Sequence, residues 1–251
     1  LLYLYFDTQN PGAGVTSAIV DQTTTGKCEF PSIDIDNFGI PLLAYAKEEE
    51  IYYTKSTPFG WTTPENLSQS TGIESNQPFI EFYRGRIVVL WEEDDPEDIY
   101  MRYSWSSLPQ EWSDKENISS STGRSTYPVI EQNGNIVWSE NDNGNWEIFY
   151  RWGFPGGGWS QIRNLSNTVS SSKYPHMGYS RFPEVSYLYA CWTEGDEPYE
   201  VRFDEFEAEP SPLYVSGHIT ENSVWEQNVF VTGDIVIDSG VTLTIEPGNR
   251  V

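Results

Sequence analysis

Three times in this chain a tryptophan stands two residues before a glutamate, with an arginine further on. The sets are Trp91, Glu93 and Arg102; Trp138, Glu140 and Arg151; and Trp192, Glu194 and Arg202. An indole face can cover the apolar C–H side of a sugar ring, while a carboxylate and a guanidinium beside it bond the hydroxyls. The Trp-to-Arg offsets of 11, 13 and 10 predict that each Arg lies on the strand next to its Glu. The three sets are therefore candidate ligand-binding residues. The plainer alternative is a cross-strand Glu–Arg pair beside a core Trp, repeated because its module repeats. An earlier unit departs from the pattern, with Tyr45, Lys47 and Thr54 in those places.

A second constellation concerns a metal. The turn "ENDNGNWE" (140–147) and the run "EEDDPED" (92–98) gather carboxylates and amides between two expected strands. Asp142, Asn143 and Asn145 around a glycine suit a hard cation such as Ca2+, the one cofactor the residues suggest. Neither loop has the twelve-residue calcium-loop pattern, and a solvated acidic turn is the alternative. His176 and His218 are the only histidines, and Cys28 and Cys191 the only cysteines. The cysteines fit no metal spacing; they either pair across the fold or remain two thiols.

Charge limits the partners. Asp and Glu number 38 against 14 Lys and Arg, a formal net charge of −24. Such a surface repels phosphate backbones and anionic lipid, so neither a nucleic-acid partner nor membrane insertion is expected. No stretch approaches the ~20 apolar residues of a membrane-spanning helix.

The elements that must position these residues come from a repeat. "GWTTPENLSQSTGIESNQPFI" (60–80) aligns with "EWSDKENISSSTGRSTYPVI" (111–130) and with "GWSQIRNLSNTVSSSKYPHM" (158–177). Trp61, Trp112 and Trp159 are 51 and 47 residues apart, and Asn66, Asn117 and Asn164 keep the same steps. Pro31, Pro78, Pro128 and Pro175 step by 47, 50 and 47. "IYYTKS", "IYMRYS" and "IFYRWG" mark the same period from Ile51, Ile99 and Ile148. Each unit holds four β-like runs with turn residues between them and no helical periodicity. Four strands per unit, repeated, is the signature of a β-propeller blade, which cannot bury both of its faces alone. Asn117-Ile118-Ser119 satisfies the N-glycosylation rule. Yet "NLS", "NIS" and "NLS" recur at one blade position, and Asn with Ser two residues on suits a turn.

These units resemble BNR/sialidase-type propeller repeats, in a degenerate form that reads S-x-x-P-x-I, V-x-W-x-E, I-x-Y-R-x-S and G-W-x-x-x-x-N-L-S. The resemblance covers residues 1 to about 205. Of the sialidase Asp-box only a turn leading to Trp survives: "STPFGW" and "SSLPQEW" lack its Asp, and "GFPGGGW" lacks its Ser as well. A sialidase-like hydrolase implies three arginines, a Tyr–Glu pair and an acid/base Asp. Arg84, Arg86, Arg124, Arg163 and Arg181 are available, but "SRFPEV" (180–185) is the nearest echo of the family's early arginine motif.

The fold class expected is all-β: a propeller of four or five four-stranded blades, five favoured, over residues 1–208. A linker at 209–215 contains part of "AEPSP". Residues 216–251 then resemble the first turns of a right-handed parallel β-helix, with "VFV", "IVI" and "LTI" punctuated by glycines. The chain is expected to start in mid-blade and to break off at "EPGNRV", within a longer secreted or cell-surface polypeptide. The function expected is a non-catalytic binding or adhesion module, recognising carbohydrate or a surface protein. The alternatives are a structural subunit or spacer, docking further domains or copies of itself, and a sialidase-like glycoside hydrolase.

Overall fold

The computed structural model describes residues 2–6, 15–21, 27–105, 111–181, 186–195, 200–207, 213–225 and 229–245. The expectations on residues 182–185, on 209–212 of the linker and on the closing 246–251 lie outside the described residues. The described residues form β-strands and no helix, so none is long and apolar enough to cross a membrane.

Five antiparallel sheets follow one another along the chain. The first pairs β1 (Leu2–Phe6) with β2 (Val15–Ile19). In the second, β3 (Cys28–Ile35), β4 (Pro41–Lys47) and β5 (Glu50–Thr57) run in order, and both β6 (Gly60–Trp61) and β7 (Glu65–Asn66) pair with β5 as a split outer strand. The third repeats this with β8 (Ser75–Tyr83), β9 (Arg86–Asp94), β10 (Glu97–Trp105) and β11 (Glu116–Asn117). The fourth comprises β12 (Arg124–Ile130), β13 (Asn135–Asp142), β14 (Asn145–Phe154), β15 (Gly158–Trp159) and β16 (Arg163–Asn164). The fifth comprises β17 (Ser172–Arg181), β18 (Ser186–Glu194) and β19 (Glu200–Glu207). After them, β20 (Leu213–Ile219) pairs in parallel with β22 (Val229–Ile237), and β21 (Ser223–Trp225) in parallel with β23 (Leu243–Ile245).

The sheets pack face on face as propeller blades, and this explains the apolar second strands. In β9 alternate side chains go to opposite sides. Ile87, Val89 and Trp91 join Leu42, Ala44 and Ile51 of the preceding blade, while Val88 and Leu90 join Ile130, Ile136 and Trp138 of the following one. A strand covered on both faces reads as a continuous hydrophobic run rather than an alternation. Val137, Ile148 and Tyr150 continue the stack onto Leu188, Ala190 and Trp192.

The Asn-x-Ser triplet closes the outer edge of the second, third and fourth blades. Asn66, Asn117 and Asn164 accept through Oδ1 from the backbone N–H of Gln69, Ser120 and Asn167, all three of which have positive φ. The hydroxyls of Ser68, Ser119 and Ser166 accept from the N–H of Ile51, Ile99 and Ile148. Those same hydroxyls donate to Glu50, Asp98 and Glu147, the acids that precede the third strands. The Asn117 amide also donates to Asp98 at 2.7 Å. The triplet is thus part of a turn clip. The recurring acid before each "IYY"-type run was its unread signal.

Candidate active site

The inner strands β3, β8, β12 and β17 gather side by side, and each carries the same irregularity. Pairing with the second strand slips between Glu29 and Ser32, Asn76 and Phe79, Thr126 and Val129, and Lys173 and His176. Two inner residues, the last of them proline, there oppose one on the neighbour. This is a β-bulge, which bends the strand and re-aims a side chain. The residue before each proline has positive φ: Phe30 50°, Gln77 49°, Tyr127 55° and Tyr174 57°. Two cavities touch all four inner strands or the turns that follow them. One, of about 380 Å3, is lined at the bulges by the four prolines and their neighbours. The other, of about 720 Å3, lies toward the inner hairpins and is lined by Asp34, Asn37, Phe82, Arg84, Asn133 and Tyr179 among others. They open at two levels along the same four inner strands, a proline mouth at the bulges and a second mouth beside the hairpins.

Three carboxylates on the inner strands lie close enough to feel one another, and one of them, Asp34, lines the second cavity. Asp34, Glu81 and Glu131 each stand three residues after the bulge proline, in "SID", "FIE" and "VIE". The repeat in the sequence contains this signal, one acid at a fixed step after three of the bulge prolines. Asp34 is held by the N–H of Ile35 at 2.7 Å and, across the blades, by the N–H of Phe82. Burial, then the charges of Asp34 and Glu131, push the Glu81 carboxyl up to about 8. Glu131 is also raised by burial, against hydrogen bonds from Asn135 and Asn133 in its own hairpin. A half-buried acid that keeps its proton near neutrality beside a second carboxylate is the pairing that general acid–base chemistry requires. Arg84 lies over the Tyr83 ring at 5.5 Å and contributes to the same cavity.

The Trp–Glu–Arg sets are distributed otherwise. Trp91 and Trp138 are fully buried between blades, and their indole N–H groups donate to Glu93 and Glu140 on the same strand, both at 2.9 Å. Arg102 pairs with Val89, and Arg151 with Ile136, four positions along the strand from those glutamates. Glu93 instead meets Lys115 at 2.9 Å. Arg151 donates to the carbonyls of Ile118 and Ser160 and lies over the Trp159 ring at 5.4 Å. Only the fifth blade gathers its set. Trp192 pairs with Arg202, the Trp192 indole donates to Glu194 at 3.3 Å, and Arg202 meets that carboxylate at 3.3 Å.

At the expected calcium turn, the Asn143 amide donates to Asp142 at 2.9 Å, and Asn145 donates to Glu147 and to the Thr168 carbonyl. Among the described residues no group of three or more His, Cys, Asp and Glu is placed to hold a metal ion. Cys28 and Cys191 are free thiols. His176 lines the proline mouth, and His218 meets Asp238 at 2.8 Å on the parallel strands.

No protein-family model matches the chain. No curated protein sequence matches it either. Among solved structures the chain is similar to the catalytic domain of a GH62 α-L-arabinofuranosidase from Coprinopsis cinerea, at 12% identity and a TM-score of 0.45, covering 82% of each chain. It is similar to the exo-β-1,3-galactanase 1,3Gal43A from Clostridium thermocellum, at 13% identity and 0.45, covering 72% of this chain and 46% of that one. It is also similar to a subtype N10 neuraminidase-like protein of A/little yellow-shouldered bat/Guatemala/060/2010, at 11% identity and 0.43, covering 77% and 62%. The chain thus spans about half the length of the galactanase. These similar structures are mostly named as glycoside hydrolases. That goes against the expectation of a non-catalytic binding module and is nearer to its glycoside-hydrolase alternative.

Proposed function

We propose that this protein hydrolyses glycosidic bonds at the second mouth, beside its inner hairpins. One observation carries the reading: Asp34, which lines that cavity, and Glu81 stand at the same position of adjacent inner strands, and the Asp34 charge helps burial to push the Glu81 carboxyl up to about 8. Glu81 is the general acid that protonates the leaving oxygen as its bond to the anomeric carbon breaks, and Asp34 is the carboxylate that takes a proton from the water attacking that carbon. Glu131 raises the Glu81 carboxyl and acts as a positioning residue through it. The likeness to known hydrolases, at its low identity and TM-score, carries none of this.

The test is release of nitrophenol from a panel of aryl arabinofuranosides, galactosides and sialosides, by the wild type and by Glu81→Gln. Turnover of one substrate, reduced about 10²–10⁴-fold in the variant with melting unimpaired, is expected. No turnover across the panel, or equal turnover by the variant, overturns the reading.

The finer resemblances belong with this reading. We infer that the blades are degenerate BNR-type repeats, supported by the Trp–Asn spacing and the shared outer clip. The parallel pairing of β20 with β22 and of β21 with β23 supports a β-helix start after the propeller. An extracellular or cell-surface glycan is the substrate that suits so acidic a chain.

A further inference from the structure

We infer that the proline mouth is a second site, one that takes a single neutral sugar ring. It lies three residues before the carboxylates, about 10 Å along each inner strand at the usual rise per residue. Its construction is the argument. Phe30, Tyr127 and Tyr174 are bulky residues in left-handed backbone, a conformation that such side chains adopt only where the surroundings impose it. The same device occurs in four blades, each time directly before a proline, and each time it delivers the side chain to one cavity.

The lining suits a ligand with an apolar face and polar edges. Phe30 and Tyr174 are half exposed, and the Tyr127 and Tyr174 rings meet edge to face at 4.5 Å. Aromatic and proline rings offer C–H and π surface to one side of a sugar. Ser32, Gln77 and His176 supply hydroxyl, amide and imidazole for its hydroxyls. The Gln77 amide is anchored by Glu92 at 3.2 Å, and Glu92 is itself held by Thr126 at the next bulge. A cavity of about 380 Å3 falls at the small end of ligand pockets, which matches one ring and not a long extended segment. Among the described residues no Asp, Glu, Lys or Arg lines it, which suits an uncharged sugar.

Saturation-transfer NMR with methyl glycosides of glucose, galactose, xylose and arabinose tests this, with an oligoproline peptide as the competing class. Transfer from protein to the ring C–H protons of at least one glycoside is expected. Tyr174→Ala should weaken that binding up to about tenfold, and Tyr174→Phe should preserve it. Glu81→Gln should leave it unchanged, which separates this site from the hydrolytic one. Gln77→Ala, judged beside its melting curve, provides a second variant that keeps the aromatic rings. Silence across the glycosides, binding of oligoproline alone, or binding indifferent to both Tyr174→Ala and Gln77→Ala would overturn the inference.

Discussion

The indole nitrogen of Trp159 donates to the Glu116 carboxylate at 2.7 Å, and the two residues belong to neighbouring blades. One repeat earlier, Trp112 donates to Glu65 at 3.0 Å in the same way. The third blade is thus pinned to the second, and the fourth to the third, by a charge-assisted bond. Trp159→Phe keeps most of the packing and removes the donor, and should cost about 1.5–3 kcal/mol in urea unfolding. Trp112→Phe should cost a similar amount. The double variant should be additive, because the two bonds share no partner.

Ser119→Ala attacks the outer clip. Its hydroxyl accepts from the Ile99 N–H and donates to Asp98, and both partners are buried. The alanine takes away the acceptor of the Ile99 N–H and one of several donors to Asp98, at a cost of about 1–3 kcal/mol. The corresponding Ser68→Ala and Ser166→Ala variants should behave alike. Thermal melts of the three would show whether the clip serves every blade equally.

Lys115 neutralises Glu93, whose side chain is only 2% exposed. Lys115→Met retains the aliphatic stem and leaves a buried carboxylate with only Trp91 and Ser70 as partners. Removing one partner of a buried pair destabilises strongly, and about 3 kcal/mol is expected. Lys115→Met with Glu93→Gln should recover part of that loss. Denaturant midpoints of the two variants decide it.

Stability should fall as pH rises. Burial is the leading cause of raised carboxyls at Glu81, Glu92, Glu131 and Glu140, with Glu81 at about 8. Between an unfolded value of about 4.3 and the folded one, the native state holds protons that the unfolded chain has released. The associated stability is therefore complete below the unfolded value and is lost as pH climbs through the folded one. Melting temperature should drop from pH 5.5 to pH 8.5. Glu81→Gln should flatten the profile, with its largest gain over wild type above pH 8.

Gly134 turns the hairpin between β12 and β13 at φ +81°, and a Cβ there would stand 2.1 Å from the Gly153 carbonyl oxygen. Gly134→Ala meets both a disfavoured backbone and a clash with main chain. A loss of at least about 2 kcal/mol is expected in urea unfolding. Gly144, whose φ is +90° with no atom near its Cβ position, should lose only the backbone part.

The repeat is a property of the sequence alone. Tryptophan, asparagine and proline recurring at one period, with apolar runs between, required strands that cover one another's faces, and the blades follow from that. The turn role of Asn117 was legible for the same reason, since a motif recurring in every unit reports the unit's construction. Distances between strands were not legible. A Trp-x-Glu string followed by an Arg looks the same whether the arginine lands opposite its glutamate, as Arg202 does with Glu194, or four positions away, as Arg102 and Arg151 do. Register depends on hairpin length and bulges, so one added residue moves a side chain along the strand or to the other face. The inner-strand carboxylates show the same division. "SID", "FIE" and "VIE" stand in the sequence, but only the convergence of three inner strands puts their charges within reach of one another and holds a proton on Glu81.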